Sequence, residues 1–150
     1  MFDRVRTRLE PDETSTVGLF VDGPNILRDE FDVDLDDLRE VATGLGRTGI
    51  LRLYLDEHAT PGLIQAAEAR GFEVVVTSGD VDVKLAVDAT ALATDGTLDV
   101  LVIASRDTDF KPALEHAGRV GVETVAIAPG SYGRSDALGN AADEAITLGE

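Results

Sequence analysis

Short apolar runs typical of buried β-strands alternate with amphipathic segments along this chain. The runs cover residues 17–21, 50–55, 72–76, 98–104 and 122–128, and the segments between them predict helices over 35–45, 60–71, 83–94 and 109–120. Strands that alternate with helices form a parallel sheet with helices on both faces. The predicted fold is an α/β three-layer sandwich with a central, mostly parallel sheet of five to six strands. Residues 141–148 add a short closing element of undecided type.

The length and apolar content predict one domain with a proper core. The chain has 150 residues, of which 43% are hydrophobic. Residues 1–16 are polar and aperiodic, so we expect a flexible lead-in to a domain over residues 17–150. No apolar run is long enough for a membrane span, and the first residues lack the apolar region of a signal peptide. We therefore expect a cytoplasmic protein without a membrane partner.

The charge balance is strongly acidic. The net charge is −16, and the bases are eleven arginines with only two lysines, Lys84 and Lys111. This composition is typical of halophilic, often archaeal, proteins, because at molar salt a Debye length of about 3 Å screens self-repulsion. An ordinary acidic protein is the alternative interpretation. The charge also argues against a basic nucleic-acid groove, since proteins that bind nucleic acid normally carry a positive surface.

Four aspartates in three separate segments predict one metal site. Asp22 follows the first predicted strand, Asp107 and Asp109 follow the fourth, and Asp82 lies near the start of the third predicted helix. Ligands bind at the carboxyl ends of strands in open α/β sheets, where strands one and four are usually neighbours. Carboxylates gathered there need a cation, and Mg²⁺ or Mn²⁺ takes carboxylate and water oxygens. The pattern therefore indicates phosphodiester or phosphate-ester chemistry.

Other kinds of metal site are disfavoured by composition, and local structural roles are the alternative for single acids. The chain has no cysteine, and its two histidines, at positions 58 and 116, are far apart, which disfavours a zinc site. Asp22 can stabilise a turn, and Asp82, Asp107 or Asp109 can interact favourably with a helix N-terminus. A single cap explains one acid, but not two beside Asp22. Asn25 can cap the segment that follows it.

Several further polar residues are weaker candidates. Asp88 lies six residues after Asp82, about 120° around the helix, so it reaches the same site only from the rim. Asp80 is interpreted as a plain helix cap. Arg106 either pairs with the neighbouring acids or binds substrate phosphate. Ser105, Arg106 and Arg134 form the predicted substrate-binding set.

A literal GxGxxG pattern occurs at residues 44–49. It follows a predicted helix and precedes a predicted strand, whereas a dinucleotide-binding loop follows a strand and opens a helix. We interpret the segment as a helix stop and turn.

Four segments in this order resemble the NYN domain family, close to its LabA-like and archaeal members. They are FVDGPNIL, VDVKLAVDA, ASRDTDFKPALEHAGRVGVETVAIAP and SDALGNAADEAITL, and the resemblance covers about residues 17–148. The family belongs to the PIN-like nuclease group, so the resemblance implies a PIN-like sandwich and metal-dependent ribonuclease activity. By position, Asp22 and Asn25 match the acid and asparagine after strand one, Asp82 and Asp88 match the helix acids, and Asp107 and Asp109 match the pair in an SGDSDF-like motif. Arg106 stands where glycine is common, and Gly79-Asp80 replaces the usual Lys-Gly.

The leading hypothesis is a Mg²⁺- or Mn²⁺-dependent endoribonuclease. Asp22, Asp107 and Asp109 would hold one or two ions, Asp82 would complete the site, and Asn25 would orient the water or the scissile phosphate. The alternative is a catalytically silent NYN module that binds RNA or a protein partner. A phosphatase of the haloacid dehalogenase type is a third hypothesis, but that group carries its DxD after the first strand. The sequence does not determine the oligomeric state, and a homodimer is one option.

Overall fold

The computed structural model describes residues 12–28, 31, 33–130 and 136–149. The strands are β1 (Asp12–Asp22), β2 (Gly46–Leu55), β3 (Glu73–Val76), β4 (Val100–Ala104), β5 (Glu123–Pro129) and β6 (Glu144–Leu148). The helices are α1 (Gly23–Ile26), α2 (Leu35–Leu45), α3 (Pro61–Ala69), α4 (Val81–Thr94), α5 (Lys111–Arg119) and α6 (Asp136–Ala141), and a 3₁₀ turn (Thr108–Phe110) precedes α5.

The six described strands form one parallel sheet in the order β3-β2-β1-β4-β5-β6. This confirms the predicted α/β fold and gives the upper of the two predicted strand numbers. It also confirms that the first and fourth strands are neighbours, with Val17–Val21 of β1 paired in register with Val100–Ala104 of β4. The chain reverses its direction of winding between these strands, which makes their carboxyl ends the switch point where α/β sheets bind ligands.

Two apolar cores cover the two faces of the sheet. On one face, Leu19 and Val21 of β1 pack with Leu38 of α2 and Ala67 of α3. On the other face, buried residues of β1 and β4 pack with α4, α5 and α6. All five residues of β4 are buried, because a central parallel strand is covered on both sides. The burial of both faces explains why β1 and β4 read as continuous apolar runs.

Two strand starts differ from the prediction. β1 begins at Asp12, so residues 12–16 belong to a strand and only residues 1–11 of the predicted lead-in lie outside the described residues. β2 begins at Gly46, so most of the GxGxxG segment is strand and not a turn. A Cβ at Gly49 would lie 2.6 Å from Cγ2 of Thr16. Gly49 therefore permits close packing of β2 against Thr16 of β1.

Side chains at the helix N-termini form the capping hydrogen bonds that define where two helices begin. Asp34 caps α2 in a reciprocal capping box with Asp37, and Thr60 caps α3 by accepting from the Leu63 N–H. The closing element of undecided type, residues 141–148, is mainly the edge strand β6, and the short helix α6 precedes it. Asp143 fixes this edge, because its carboxylate accepts hydrogen bonds from the Thr124 backbone N–H (2.9 Å) and hydroxyl (3.3 Å). Within the described ranges, no helix has both the length and the apolar character needed to cross a membrane.

Candidate metal centre

Asp22 ends β1 at the switch point and is 5% exposed. The next residue, Gly23, begins α1 directly against β2. A Cβ on Gly23 would lie 2.7 Å from the backbone oxygen of Tyr54, and real Cβ atoms essentially never come so close to a fixed backbone atom. The glycine therefore allows the chain to turn immediately after Asp22 while α1 stays packed on β2.

Ser105 and Asn25 join the loop after β1 to the loop after β4. The Ser105 hydroxyl donates to Oδ2 of Asp22 at 3.1 Å and accepts from the Asp107 backbone N–H at 3.1 Å. Oδ1 of Asn25 accepts from the Arg106 backbone N–H at 2.9 Å. These contacts fix the position of Asp107 relative to Asp22, although the two residues are far apart in sequence.

Three carboxylates converge in front of these loops. Asp82, Asp107 and Asp109 each offer an oxygen within 4.8 Å of the others. Asp82 lies in the first turn of α4, and Asp107 caps the 3₁₀ turn by accepting from the Asp109 N–H at 2.9 Å. Oxygens on opposite sides of a Mg²⁺ ion stand about 4.2 Å apart, since each lies roughly 2.1 Å from the ion. Small side-chain rotations would therefore suffice, and the all-oxygen set suits Mg²⁺ or Mn²⁺.

The carboxylates perturb one another electrostatically. Burial, followed by the charges of Asp107 and Asp82, raises the pKa of Asp22 to about 6 against the lowering effect of the Ser105 hydrogen bond. The charge of Asp107, followed by burial and the charge of Asp82, also raises the pKa of Asp109. Proximity of like charges therefore disfavours the ionisation of Asp22 and Asp109. A bound cation would remove this penalty, which is a physical reason for these acids to occur together.

Three of these acids, Asp22, Asp82 and Asp107, line a cavity of about 380 Å³, called here the acidic cavity. Its walls include Asp22, Asn25, Asp82 and Asp107 as well as three residues that the sequence analysis did not assign to the site: Arg28, Asp56 and Asp80. Asp56 directly follows β2, so the strand-end rule that found Asp22 would also have found it. Asp80 occupies the N-cap position of α4, but its side chain makes no capping hydrogen bond to the described backbone.

Asp88 lies apart from the convergent acids. It accepts a hydrogen bond from the Tyr54 hydroxyl at 2.7 Å and pairs with Lys84 at 3.2 Å and Arg52 at 3.6 Å. Burial and then the neighbouring Asp88 raise the pKa of Tyr54, while Arg52 lowers it. The structure thus places Asp88 in a network that holds α4 against β2. Its position about 120° from Asp82 around the helix is the reason.

The predicted substrate-binding residues have different surroundings. Ser105 is fully buried beneath the acids, where its hydroxyl positions Asp22 and Asp107. Arg106 carries its guanidinium over the ring of Phe31, 5.1 Å from the centroid, in a cation–π contact. Arg134 lies outside the described residues. The structure therefore keeps Arg106 near the site and gives Ser105 a positioning role.

Comparison with known proteins places this arrangement in a family context. The family model of the NYN domain matches residues 16–149. An uncharacterized protein of Methanocaldococcus jannaschii is 43% identical over 134 residues, which cover 89% of this chain and 55% of that protein. The chain thus spans about half the length of this archaeal relative.

A solved structure supports the fold independently. The crystal structure of a protein of unknown function from Vibrio parahaemolyticus has a TM-score of 0.76 with this chain at 22% identity, covering 93% of this chain and 96% of the other. At that identity the likeness concerns the fold. The match across residues 16–149, with the archaeal relative and the acids at the ends of β1 and β4, establishes that the chain belongs to the NYN domain family.

Proposed function

We propose that this protein is a metal-dependent endoribonuclease that hydrolyses RNA phosphodiester bonds. The observation that carries the proposal is the convergence of Asp82, Asp107 and Asp109 at the switch point, beside the buried Asp22. Carboxylates from three separate segments lie together although Asp107 and Asp82 raise the cost of ionising Asp22 and Asp109. NYN domains act on RNA and have a PIN-like nuclease fold, so RNA is the substrate class that the family supports.

The side chains divide the work as follows. Asp82, Asp107 and Asp109 would hold a Mg²⁺ or Mn²⁺ ion, with Asp22 beside them. When bound, the ion would lower the pKa of the attacking water and stabilise negative charge on the phosphate oxygens. Oδ1 of Asn25 fixes the loop after β4 by accepting the Arg106 backbone N–H. The amide nitrogen of Asn25 can donate a hydrogen bond to a water or a phosphate oxygen.

Positive charge near the acidic cavity would receive the RNA backbone. Arg28 lines the cavity itself, and Arg106 belongs to the loop that Asn25 holds, with its guanidinium over the ring of Phe31. Guanidinium groups bind phosphate with two parallel hydrogen bonds, which positions the chain as well as attracting it. The proposed setting is a salt-rich cytoplasm, which the net charge of −16 supports.

The test is degradation of a labelled single-stranded RNA with Mn²⁺ or Mg²⁺ in molar KCl. Asp107→Asn should lower the cleavage rate by about a hundredfold or more, since even groups behind a metal ligand cost 10–100-fold when removed. Glu115→Gln, on the exposed surface of α5, makes the same change in charge and should cleave at the wild-type rate.

Two outcomes would contradict the proposal. Equal cleavage by wild type and Asp107→Asn would place the catalytic residues elsewhere or reveal a contaminating nuclease. Intact RNA with every protein, together with metal binding detected by calorimetry, would favour the alternative of a silent NYN module that has kept its ion site.

A further inference from the structure

Helix α4 is apolar on its outer side as well as on the side that faces the sheet. Leu85, Ala89 and Ala93 are buried in the core, whereas Val83 and Val87, one turn apart on the outside, are 56% and 60% exposed. A surface helix normally carries polar residues outside, and a helix that is apolar all round is normally buried. The outer side of α4 therefore has the composition of a contact surface.

A groove runs along this side, between α4 and α5. Two adjoining cavities of about 480 and 550 Å³ form it and share Ala86, Asp109 and Pro112. The groove begins beside the convergent acids, and a hydrogen bond of 2.9 Å between Thr94 Oγ1 and His116 Nε2 joins the two helices near its other end. We call this surface the α4–α5 face, and its uncharged members are Val83, Ala86, Val87, Thr90, Ala91 and Pro112.

The α4–α5 face is nearly neutral on a chain with a net charge of −16. The exposed residues of α4 include Lys84 and no acid, because Asp88 is largely buried and pairs with Lys84 and Arg52. With the exposed residues of α5 and the acids at both ends, the face has three bases, Lys84, Lys111 and Arg119, against four acids, Asp82, Asp95, Asp109 and Glu115. Both lysines of the chain therefore lie here.

This charge balance indicates what kind of partner fits the face. A strongly basic partner would be attracted to the acidic surfaces elsewhere on the molecule and not to a neutral face. A second copy of this chain would be repelled by those acidic surfaces, but it meets little repulsion through an apolar face without excess charge. The face thus suits contact between two copies.

We propose that the α4–α5 face binds a second copy of this chain, forming a homodimer about a two-fold axis that crosses α4 near Val87. Most homodimers are two-fold symmetric, and each copy then contributes the same patch. Val87 lies at the middle of α4 (Val81–Thr94), so this axis brings it against the same valine of the other copy. The two copies of α4 are then antiparallel, and helix ends of opposite partial charge meet. The inference does not depend on ribonuclease activity.

The first test measures the mass of the protein in solution. Sedimentation equilibrium in molar KCl should give a wild-type mass near twice the 15.9 kDa of one chain. Val87→Lys should weaken dimerisation by about tenfold or more, because two unpaired ammonium groups would meet at the axis. The substitution makes the net charge less negative, so general repulsion between copies does not increase.

Val76→Lys is the matched control. Val76 is 50% exposed at the end of β3 and lies outside both cavities of the α4–α5 face. This variant makes the same change in side chain and charge, and it should dimerise like the wild type. Far-UV circular dichroism and thermal unfolding should show that both lysine variants are folded.

The second test uses the lack of cysteine in the chain, since a single introduced cysteine can form a disulfide only with another copy. Under mild oxidation, Val87→Cys should give a covalent dimer on a non-reducing gel, because a disulfide requires Cα atoms about 4.4–6.8 Å apart. Glu40→Cys, at an exposed position of α2 on the opposite side of the sheet, should remain a single chain.

Selective loss of the dimer in Val87→Lys, with a disulfide formed by Val87→Cys alone, would support the inference. A wild type that sediments as one chain up to submillimolar concentration would overturn it. A dimer that Val87→Lys leaves intact, or a disulfide that forms equally well at both cysteine positions, would show that the copies meet through another surface.

Discussion

Asp22 is buried, and its carboxylate is charged at neutral pH. Because burial disfavours this charge, we expect Asp22 to destabilise the folded, metal-free protein at neutral pH. A pKa of about 6, against the ordinary 3.8, means that the folded state holds a proton on Asp22 more tightly than the unfolded state. The resulting stabilisation is complete below pH 3.8 and is lost as the pH rises through 6. The difference between the two pKa values corresponds to a loss of about 3 kcal/mol in the free energy of unfolding between pH 3.8 and neutral pH.

Asp22→Asn should therefore stabilise the metal-free protein in a pH-dependent way. The amide stays neutral and still accepts the Ser105 hydrogen bond. In EDTA, urea unfolding should give a variant about 3 kcal/mol more stable than the wild type above pH 7, with the difference vanishing near pH 4. Glu68→Gln, at an exposed position of α3, serves as the control for loss of one charge. A difference that stays constant between pH 4 and 8 would mean that Asp22 does not titrate in this range.

The close contact of α1 with β2 predicts opposite effects for two glycine substitutions. Gly23→Ala would push a Cβ to 2.7 Å from the Tyr54 carbonyl oxygen, whereas a Cβ at Gly44 of α2 meets nothing within 4 Å. We expect Gly23→Ala to destabilise by about 1–3 kcal/mol. Gly44→Ala should stabilise by about 0.5–1 kcal/mol, because alanine loses less backbone entropy in a helix.

Thermal and urea unfolding of the two variants would measure both signs. RNA cleavage adds a second readout, since Gly23 lies between Asp22 and Asn25 in the chain and α1 carries Asn25. Gly23→Ala should slow RNA cleavage, and Gly44→Ala should not. If Gly23→Ala were as stable as the wild type, α1 could move away from β2 without loss of folding free energy.

The periodicity of apolar residues predicted most helices and strands. The rule that ligands bind at the carboxyl ends of strands predicted that the aspartates meet at the switch point. The predicted strands and helices all occur, because buried parallel strands give continuous apolar runs that sequence patterns detect. The early part of β1 was missed because residues 12–16 pair at one edge, against the glycine-rich start of β2, and carry no apolar run. Strand β6 was ambiguous because its pairing depends on the Asp143–Thr124 contact, which no local pattern contains.

The side-chain network of the site was less accessible to sequence reasoning. Ser105 hydrogen-bonds both Asp107 and Asp22. Ser105 and Asp22 are 83 positions apart in the chain, so no local sequence pattern indicates this contact. Arg28 gave no signal in the sequence because its place in the wall of the acidic cavity depends on where α1 ends. Family membership confirms the resemblance drawn from four motifs, while the LabA-like subgroup stays a prediction.

The net charge of −16 on 150 residues predicts that screening stabilises this molecule. Among the described residues, Arg52, Arg70 and Lys84 pair with Glu73, Asp36 and Asp88. Because the chain has 29 acids against 13 bases, the net interaction among its charges is repulsive, and this repulsion falls as the Debye length shortens from about 10 Å at 0.1 M salt to 3 Å at 1 M. We expect the Tm to rise by several degrees between 0.1 and 2 M KCl.

Salt also strengthens apolar burial by exclusion from the surface, so the charge effect must be isolated. Replacing four exposed glutamates (Glu40, Glu57, Glu68 and Glu115) by glutamine brings the net charge from −16 to −12. The matched control replaces the same four by aspartate and keeps the charge. If repulsion governs stability, the glutamine variant should have a higher Tm at 0.1 M KCl and a smaller increase with salt, while the aspartate variant follows the wild type. Parallel salt curves for all three proteins would assign the stabilisation to exclusion, and the acidic surface would then serve solubility and not folding.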